Sequence, residues 1–215
     1  MLGGTAASVL AGATIAGARP AAAQDDPTTP DAALRAMLDG NQRFVGGRLH
    51  SHAEDLSILK AKTAEKQEPF AAVLSCADSR VPVELIFDQS IGHLFVARVA
   101  GNVASPEIIA SLEYGVAVLG TKVLMVLGHS NCGAVKATIA GKAVPGQISA
   151  LYAPIRPAVD AAGPDLDAVI DANAKLQATL LSKASPLIAG AIKEGTLKVV
   201  AARYDIAKGT VSLLT

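Results

Sequence analysis

Two short motifs place thiol, imidazole, carboxylate and guanidinium groups directly after apolar runs of the chain. In the first, AAVLSCADSR, the residues Cys76, Asp78 and Arg80 alternate along the sequence. In a chain that is still extended as it leaves a strand, side chains at this spacing point the same way. The second motif, GHSNCG, contains His129 and Cys132, which is the only other cysteine. Polar groups that follow buried strands are typical of the functional edge of an α/β sheet.

Cys76, His129 and Cys132 together form a candidate metal-ligand set. Two thiolates and one imidazole suit Zn²⁺, and three protein ligands leave the open position that marks a catalytic site. The alternative is a disulfide between Cys76 and Cys132, which an oxidising compartment permits. A histidine three residues from one cysteine and Asp-x-Arg beside the other favour the metal, so Zn²⁺ is the predicted cofactor.

Two further interpretations of GHSNCG are weak. Gly128-His129-Ser130 resembles the start of a nucleophile elbow, but that fold needs a triad histidine after the serine, and every histidine of this chain precedes Ser130. A phosphate-binding loop is equally weak, because Gly128 and Gly133 match neither of the glycine patterns that cradle phosphates.

Alternating strand and helix patterns predict the elements that position these motifs. Apolar runs predict strands that begin at residue 70 and span 93–99, 122–127 and 197–204, with a hairpin strand in 207–214. Helical spacing predicts helices over 31–44, with Asp31 as the cap, and over 56–66, 83–87, 105–119, 132–139, 166–182 and 187–193. The proline-bearing segment that ends at Pro164 is expected to be a connection.

The predicted fold is therefore an α/β domain. It has a mostly parallel central sheet flanked by helices, an N-terminal helical arm and a C-terminal antiparallel edge strand. The predicted organisation is an export signal-like segment over 1–23, a linker over 24–30 and a single zinc domain over 31–215.

Composition narrows the class of partner. The chain has 215 residues, of which 51% are hydrophobic and 18% charged, as expected for one globular domain. Lys+Arg and Asp+Glu each number 19, so no global field favours nucleic acid or an anionic membrane. Aromatic residues make up 3% and tryptophan is absent, which disfavours base stacking. A small-molecule substrate is expected.

The first 23 residues differ in kind from the rest. They are rich in alanine and glycine, carry one charge at Arg19 and end in an Ala-x-Ala-like pattern before Gln24. This pattern predicts an export signal, although a basic n-region is missing. The weak hydrophobicity resembles the middle of a twin-arginine signal, so we expect export to a bacterial periplasm, with no stable membrane insertion after processing. The alternative is a retained Ala/Gly arm on a cytoplasmic protein.

C-x-D-S-R followed by G-H-x-x-C-G resembles the β-class carbonic anhydrases. ADSRVPVELIFDQ, FVARVAGN and SLEYGVAVLG also occur in the order that this family shows, and the resemblance covers residues 31–214. It implies a zinc enzyme that hydrates CO₂ to bicarbonate and a proton, with Cys76, His129 and Cys132 as ligands. It further implies that Asp78 and Arg80 form a catalytic dyad beside the metal.

The resemblance also implies a substrate pocket and an assembly. Gln67, Phe95 and Tyr114 match pocket residues, the latter two usually from the partner subunit. Ala100 falls where a bulkier aliphatic residue often sits. A homodimer, or a dimer of dimers, is implied, with an N-terminal arm that crosses the neighbour.

The residues themselves suggest a mechanism. Zinc with an open position lowers the pKa of water from 15.7 to about 7 in an all-histidine site, which makes zinc-bound hydroxide the nucleophile. Two thiolates should reduce that shift, so activity should rise across alkaline pH. Backbone N–H groups near Gly133 would favour negative charge. Asp78 could accept a hydrogen bond while paired with Arg80, or, once released, become a fourth ligand.

Two other functional classes stay open at this stage. One is a non-catalytic relative that binds zinc or bicarbonate, and the other is a disulfide-stabilised α/β binding protein. Zinc content and CO₂ hydration would separate them from the enzyme.

Overall fold

The computed structural model describes residues 27–50 and 63–215, which form one α/β unit. Its helices are α1 (Pro30–Val45), α2 (Val83–Ile86), α3 (Pro106–Ala117), α4 (Gly133–Ala140), α5 (Tyr152–Ala162), α6 (Leu166–Ala184) and α7 (Pro186–Lys193). Its strands are β1 (Ala71–Ser75), β2 (Leu94–Arg98), β3 (Val123–His129), β4 (Lys198–Asp205) and β5 (Thr210–Leu214). Short 3₁₀ turns span Ala100–Asn102 and Ile148–Leu151.

The five strands lie in the order β2-β1-β3-β4-β5. The three pairings among β2, β1, β3 and β4 are parallel, and β5 returns antiparallel to β4 at the edge. The predicted fold class is therefore confirmed. Ser75 on β1 pairs with Leu127 on β3, so the carboxyl ends of these two strands lie side by side.

Alternate residues of each strand face opposite layers, as the pleat requires. On one face, Val73 and Met125 pack with α1 and α2. On the other, Leu74 and Val126 pack in the layer that includes α3, α6 and α7. Every residue of β1 and β3 is buried, which explains why both strands are continuous apolar runs, rather than alternating ones, until Ser75 and His129 end them.

The first helix begins slightly earlier than predicted. Thr29, not Asp31, is the N-cap, and its hydroxyl accepts a hydrogen bond from the backbone N–H of Ala32. Pro30 occupies the first helical position, where a missing N–H costs nothing. Asp31 instead lies in the first turn and pairs with Lys198 at the start of β4.

The segment before Pro164 is not only a connection, so that prediction was wrong. It contains α5, in which Ile155 and Ala158 are buried against α4 and α6. Pro154 lies in the first turn, whereas Pro157 lies inside the helix and removes one backbone hydrogen bond there. Burial of the apolar face outweighs that loss.

Some predictions fall outside the described residues. The segment 1–23 does so entirely, and most of the predicted helix over 56–66 does too. Within the described ranges, none of the helices has the length and hydropathy that crossing a bilayer requires.

Candidate metal centre

The three predicted ligands converge at the carboxyl edge of the sheet. Cys76 directly follows β1, His129 is the last residue of β3, and Cys132 directly precedes α4. Their ligand atoms all lie within 4.8 Å of one another, and all three residues are buried. They meet because β1 and β3 are adjacent parallel strands whose chains turn at the same edge.

The His129 ring is oriented by the backbone. Its Nδ1 lies 3.0 Å from the carbonyl oxygen of Ser130, and because a carbonyl can only accept, Nδ1 carries the hydrogen. Nε2 is then the lone-pair atom. It is buried and has no hydrogen-bond partner among the described residues. A buried, unpartnered nitrogen beside two sulfurs fits a metal ligand whose other nitrogen is held by a carbonyl.

The two sulfurs share one proton. A hydrogen bond from the Cys132 thiol lowers the pKa of Cys76 to about 4. The same hydrogen bond, together with burial, raises the pKa of Cys132. Neither cysteine is bridged, so the disulfide that the sequence left open is not formed. Two sulfurs and one imidazole make a donor set that fits Zn²⁺.

Asp78 and Arg80 form a bidentate ion pair beside these ligands. Arg80 Nε donates to Asp78 Oδ1 at 2.9 Å and Arg80 Nη2 donates to Oδ2 at 2.7 Å, and the Arg80 backbone N–H donates to Oδ1 at 3.0 Å. These hydrogen bonds hold the pKa of the Asp78 carboxyl well below its usual range. Asp78 Oδ2 lies 3.8 Å from His129 Nε2, so an ionised carboxylate faces the ligand set. Of the two states that the sequence left open for Asp78, this is the one in which Arg80 holds the carboxylate.

The sequence pattern did not reveal the role of Arg98. Arg98 is the last residue of β2. Its Nε donates to the Cys76 carbonyl at 2.9 Å, and its Nη2 donates to the Asp78 carbonyl at 2.6 Å. Arg98 therefore fixes the backbone that carries a ligand and the acidic member of the dyad. The one feature of the sequence that could have indicated this role is that Arg98 is a charged residue at the end of an apolar edge strand.

The predicted substrate-binding residues do not surround this centre within one chain. Phe95 on β2 pairs with Ala72 on β1, and Ala72 lies four residues before Cys76. Phe95 is therefore displaced from Cys76 by roughly 13 Å along the strand direction. Its ring packs against Tyr114, with centroids 6.3 Å apart. Tyr114 and Gln67 line a cleft of about 490 Å³ at the opposite end of the sheet. Their substrate-binding role stays a prediction.

Gly133 lies beside the ligand Cys132, and its substrate-binding role stays a prediction. It is the first residue of α4, directly after Cys132, which is the N-cap. A Cβ added at Gly133 would meet no atom within 4 Å, so the space beside this backbone is open. The Cys76 hydrogen bond and burial raise the pKa of Cys132, and the backbone N–H groups of Val135 and Ala134 oppose that rise only in part, as expected at a helix N-terminus.

Comparison with protein families identifies the chain's relatives. The family model for carbonic anhydrase matches residues 71–211. Carbonic anhydrase 2 of Mycobacterium tuberculosis is 46% identical over 113 residues, which cover 53% of this chain and 54% of that protein. The chain thus spans about half the length of that relative. Carbonic anhydrase of Mycolicibacterium smegmatis is 34% identical over 194 residues, which cover 86% of this chain and 94% of that protein.

Solved structures show the same fold. The β-carbonic anhydrase of Coccomyxa in complex with acetazolamide has a TM-score of 0.66 at 30% identity and covers 84% of this chain and 86% of its own. One of two tetrameric β-carbonic anhydrases of Sordaria macrospora has a TM-score of 0.65 at 26% identity. That match covers 84% of this chain and 96% of the Sordaria chain.

Proposed function

Because the chain belongs to the β-class carbonic anhydrase family, we propose that it catalyses the reversible hydration of carbon dioxide to bicarbonate and a proton. One observation carries the proposal. Two sulfurs and an unpartnered imidazole nitrogen lie within 4.8 Å of one another, next to a carboxylate held by Arg80. Cys76, His129 and Cys132 would hold a zinc ion.

Bound zinc supplies Lewis acidity, which makes water a nucleophile near neutral pH. The residues of the chain do the rest. Asp78 is ionised through the working pH range because Arg80 stabilises its carboxylate, so Oδ2 could accept a hydrogen bond from a water held at the ligand set. Arg80 would also keep that carboxylate from becoming a fourth ligand. The open backbone at Gly133 leaves room for the product's negative charge beside a helix N-terminus.

Zinc analysis combined with stopped-flow CO₂ hydration tests this proposal. We expect about one zinc per chain and fast hydration in the wild type, and loss of both in Cys132→Ser. A wild-type protein that binds zinc but does not accelerate hydration would contradict the enzyme proposal. A protein without zinc would contradict the metal centre as well.

We propose that the active unit is a homodimer. Gln67, Phe95 and Tyr114 lie at the end of the sheet away from the metal centre, so a second chain is needed to bring such residues to it. Tyr114 is 46% exposed and Val118, one turn further on, is 64% exposed, which leaves apolar surface for an interface. The Sordaria relative is a tetramer, which favours a dimer of dimers as the larger assembly.

Complementation between two inactive variants tests the shared site. Cys132→Ser removes the metal centre, whereas Phe95→Ala removes a pocket residue. If the pocket comes from the partner, a mixed dimer contains one intact site, and co-expression restores up to about a quarter of the wild-type activity per total chain. Mass by light scattering gives the oligomeric state. Mixed dimers without any restored activity would show that each chain supplies its own pocket.

We further propose that residues 1–23 direct export, through a twin-arginine route that carries folded, zinc-loaded protein. Zinc would protect the thiolates in an oxidising space. N-terminal sequencing of protein from the periplasmic fraction should begin near Gln24. An intact N-terminus in the cytoplasmic fraction would favour the retained arm.

A further inference from the structure

Helix α6 buries two amide side chains in the middle of an otherwise apolar face. Asn173 and Gln177 are each 1% exposed and lie one turn apart. Burying an amide is unfavourable unless its donors and acceptors are paired. Gln177 Nε2 donates to Asn173 Oδ1 at 3.2 Å and to the Pro154 carbonyl at 3.0 Å.

The remaining hydrogen bonds of this pair go to one segment. Asn173 Nδ2 donates to the Gly101 carbonyl at 2.9 Å, and Gln177 Oε1 accepts from the Ala104 backbone N–H at 2.9 Å. Gly101 in turn donates its N–H to Cys76 Sγ at 3.3 Å. A chain of hydrogen bonds thus connects the buried face of α6 with a predicted zinc ligand.

The polarity of this chain is fixed at both ends. The Ala104 N–H can only donate, so Gln177 must present Oε1 to it and direct Nε2 toward Asn173. Asn173 must then accept with Oδ1, which directs Nδ2 to the Gly101 carbonyl. Neither amide can flip without placing two donors or two acceptors against each other.

Gly101 has little freedom to move. Its φ of 75° lies in the left-handed region, and a Cβ there would come within 2.7 Å of Ile155 Cδ1 and 3.2 Å of Ala134 Cβ. Gly101 is therefore confined by packing at its Cα and by Asn173 at its carbonyl. With the Cα and the carbonyl held, the N–H on the other side of the Cα stays directed at the Cys76 sulfur.

We propose that Asn173 is a positioning residue, which acts through Gly101 to orient the hydrogen bond on the Cys76 thiolate, with Gln177 fixing its amide. This inference rests on the proposed zinc site. A hydrogen bond to a ligating sulfur holds the ligand in place and withdraws electron density from it, and such partners tune the metal's affinity and acidity. Because α6 also packs on β3 and β4, the sheet and the ligand are held by one helix.

The test replaces zinc with cobalt(II) in Asn173→Leu, in which the side chain branches at the same position as in asparagine but has no amide. Without the donor to Gly101, the sulfur-to-cobalt absorption should move to lower energy. Zinc affinity, measured by competition with a chelator, should fall about tenfold. Leu181→Ala is the matched control, since Leu181 is fully buried on the same helix and belongs to a cluster on the sheet. The control should lose stability without either change.

An unchanged cobalt spectrum in Asn173→Leu, or an equal shift in Leu181→Ala, would overturn the proposal. If Asn173→Leu does not fold, Gln177→Glu serves instead, because it keeps the acceptor for Ala104 but loses the donor to Asn173. It should give a smaller shift in the same direction, and no shift would count equally against the inference. Wild-type protein that binds cobalt but does not hydrate CO₂ would refute the proposed function and leave the spectral comparison intact.

Discussion

Replacement of Asp78 by asparagine separates a catalytic carboxylate from a metal ligand. In the structure Asp78 Oδ1 accepts two hydrogen bonds, from Arg80 Nε and the Arg80 backbone N–H. Asp78 Oδ2 accepts one, from Arg80 Nη2. An asparagine with its oxygen at the Oδ1 position keeps the first two. Its NH₂ group then occupies the Oδ2 position, which lies 3.8 Å from His129 Nε2. The variant therefore replaces an acceptor by a donor at the atom that faces the ligands.

The expected effect on catalysis is much larger than the effect on the fold. A positioned acid or base contributes about 10²- to 10⁴-fold to a rate. That range corresponds to about 2.7 to 5.4 kcal/mol of barrier. Stability should change little, because two of the three hydrogen bonds survive and Arg80 is half exposed. Zinc content should stay near that of the wild type, since the three ligands are untouched.

The assay is stopped-flow CO₂ hydration on protein whose zinc has been quantified, with urea unfolding as the check on the fold. Asp31→Asn is the matched control, because Asp31 also pairs with a cation but lies at the start of α1, away from the centre. Loss of zinc together with activity in Asp78→Asn would mean that the aspartate is an obligatory ligand. Activity within about threefold of wild type would show that the carboxylate has no catalytic role.

Four further predictions follow from the site and its surroundings. The hydration rate should rise from about pH 6 to about pH 9, because two thiolates reduce the acidity that zinc gives to water, and a flat profile would contradict this. Zinc binding to the apoprotein at about pH 7 should release about one proton per chain rather than two, because Cys76 and Cys132 already share one, and calorimetry in buffers of different ionisation enthalpy measures the number. Arg80 lowers the pKa of Asp78 in the folded state. The stability that this ion pair contributes is therefore fully present above the unfolded-state pKa of about 3.9, and it is lost as the pH falls through the lower folded-state pKa. The difference in unfolding free energy between wild type and Arg80→Ala should therefore shrink on acidification, and a constant difference would contradict the assignment. Asn41→Ala should lower the free energy of unfolding in urea by about 2 to 4 kcal/mol. The buried Asn41 amide donates to two backbone carbonyls and accepts from one backbone N–H, and all three would lose their partner. A loss below about 1 kcal/mol would show that water replaces the amide.

The features that sequence patterns predicted well are those set by local chemistry. The uninterrupted apolar run of β3 required burial on both faces, which only the interior of a layered sheet provides. Adjacent parallel strands have their carboxyl ends at the same edge, so the sequence alone was enough to group Cys76, His129 and Cys132. The physical basis is the fixed direction of parallel strands.

The features that were missed depend on tertiary contacts. Pro157 argued for a loop, yet α5 forms because burial of Ile155 and Ala158 outweighs the one hydrogen bond that the proline removes. Asn173 and Gln177 read as ordinary polar positions of a helix, because their partners lie about seventy residues away in the chain. Long-range pairing of amides with backbone groups leaves no periodic signature.

The placement of the three ligands on neighbouring parallel strands also constrains how the protein folds. Cys76 and His129 meet only after β2 and α3, which lie between β1 and β3 in the chain, have crossed over and allowed those strands to align. Parallel pairing over such a distance forms slowly, because the loop must close before its contacts stabilise it. A complete three-ligand site therefore arises late in folding. An unfolded chain offers zinc no more than His129 and Cys132, which lie three residues apart in the sequence. Refolding with zinc present should leave the early rate unchanged and slow only unfolding.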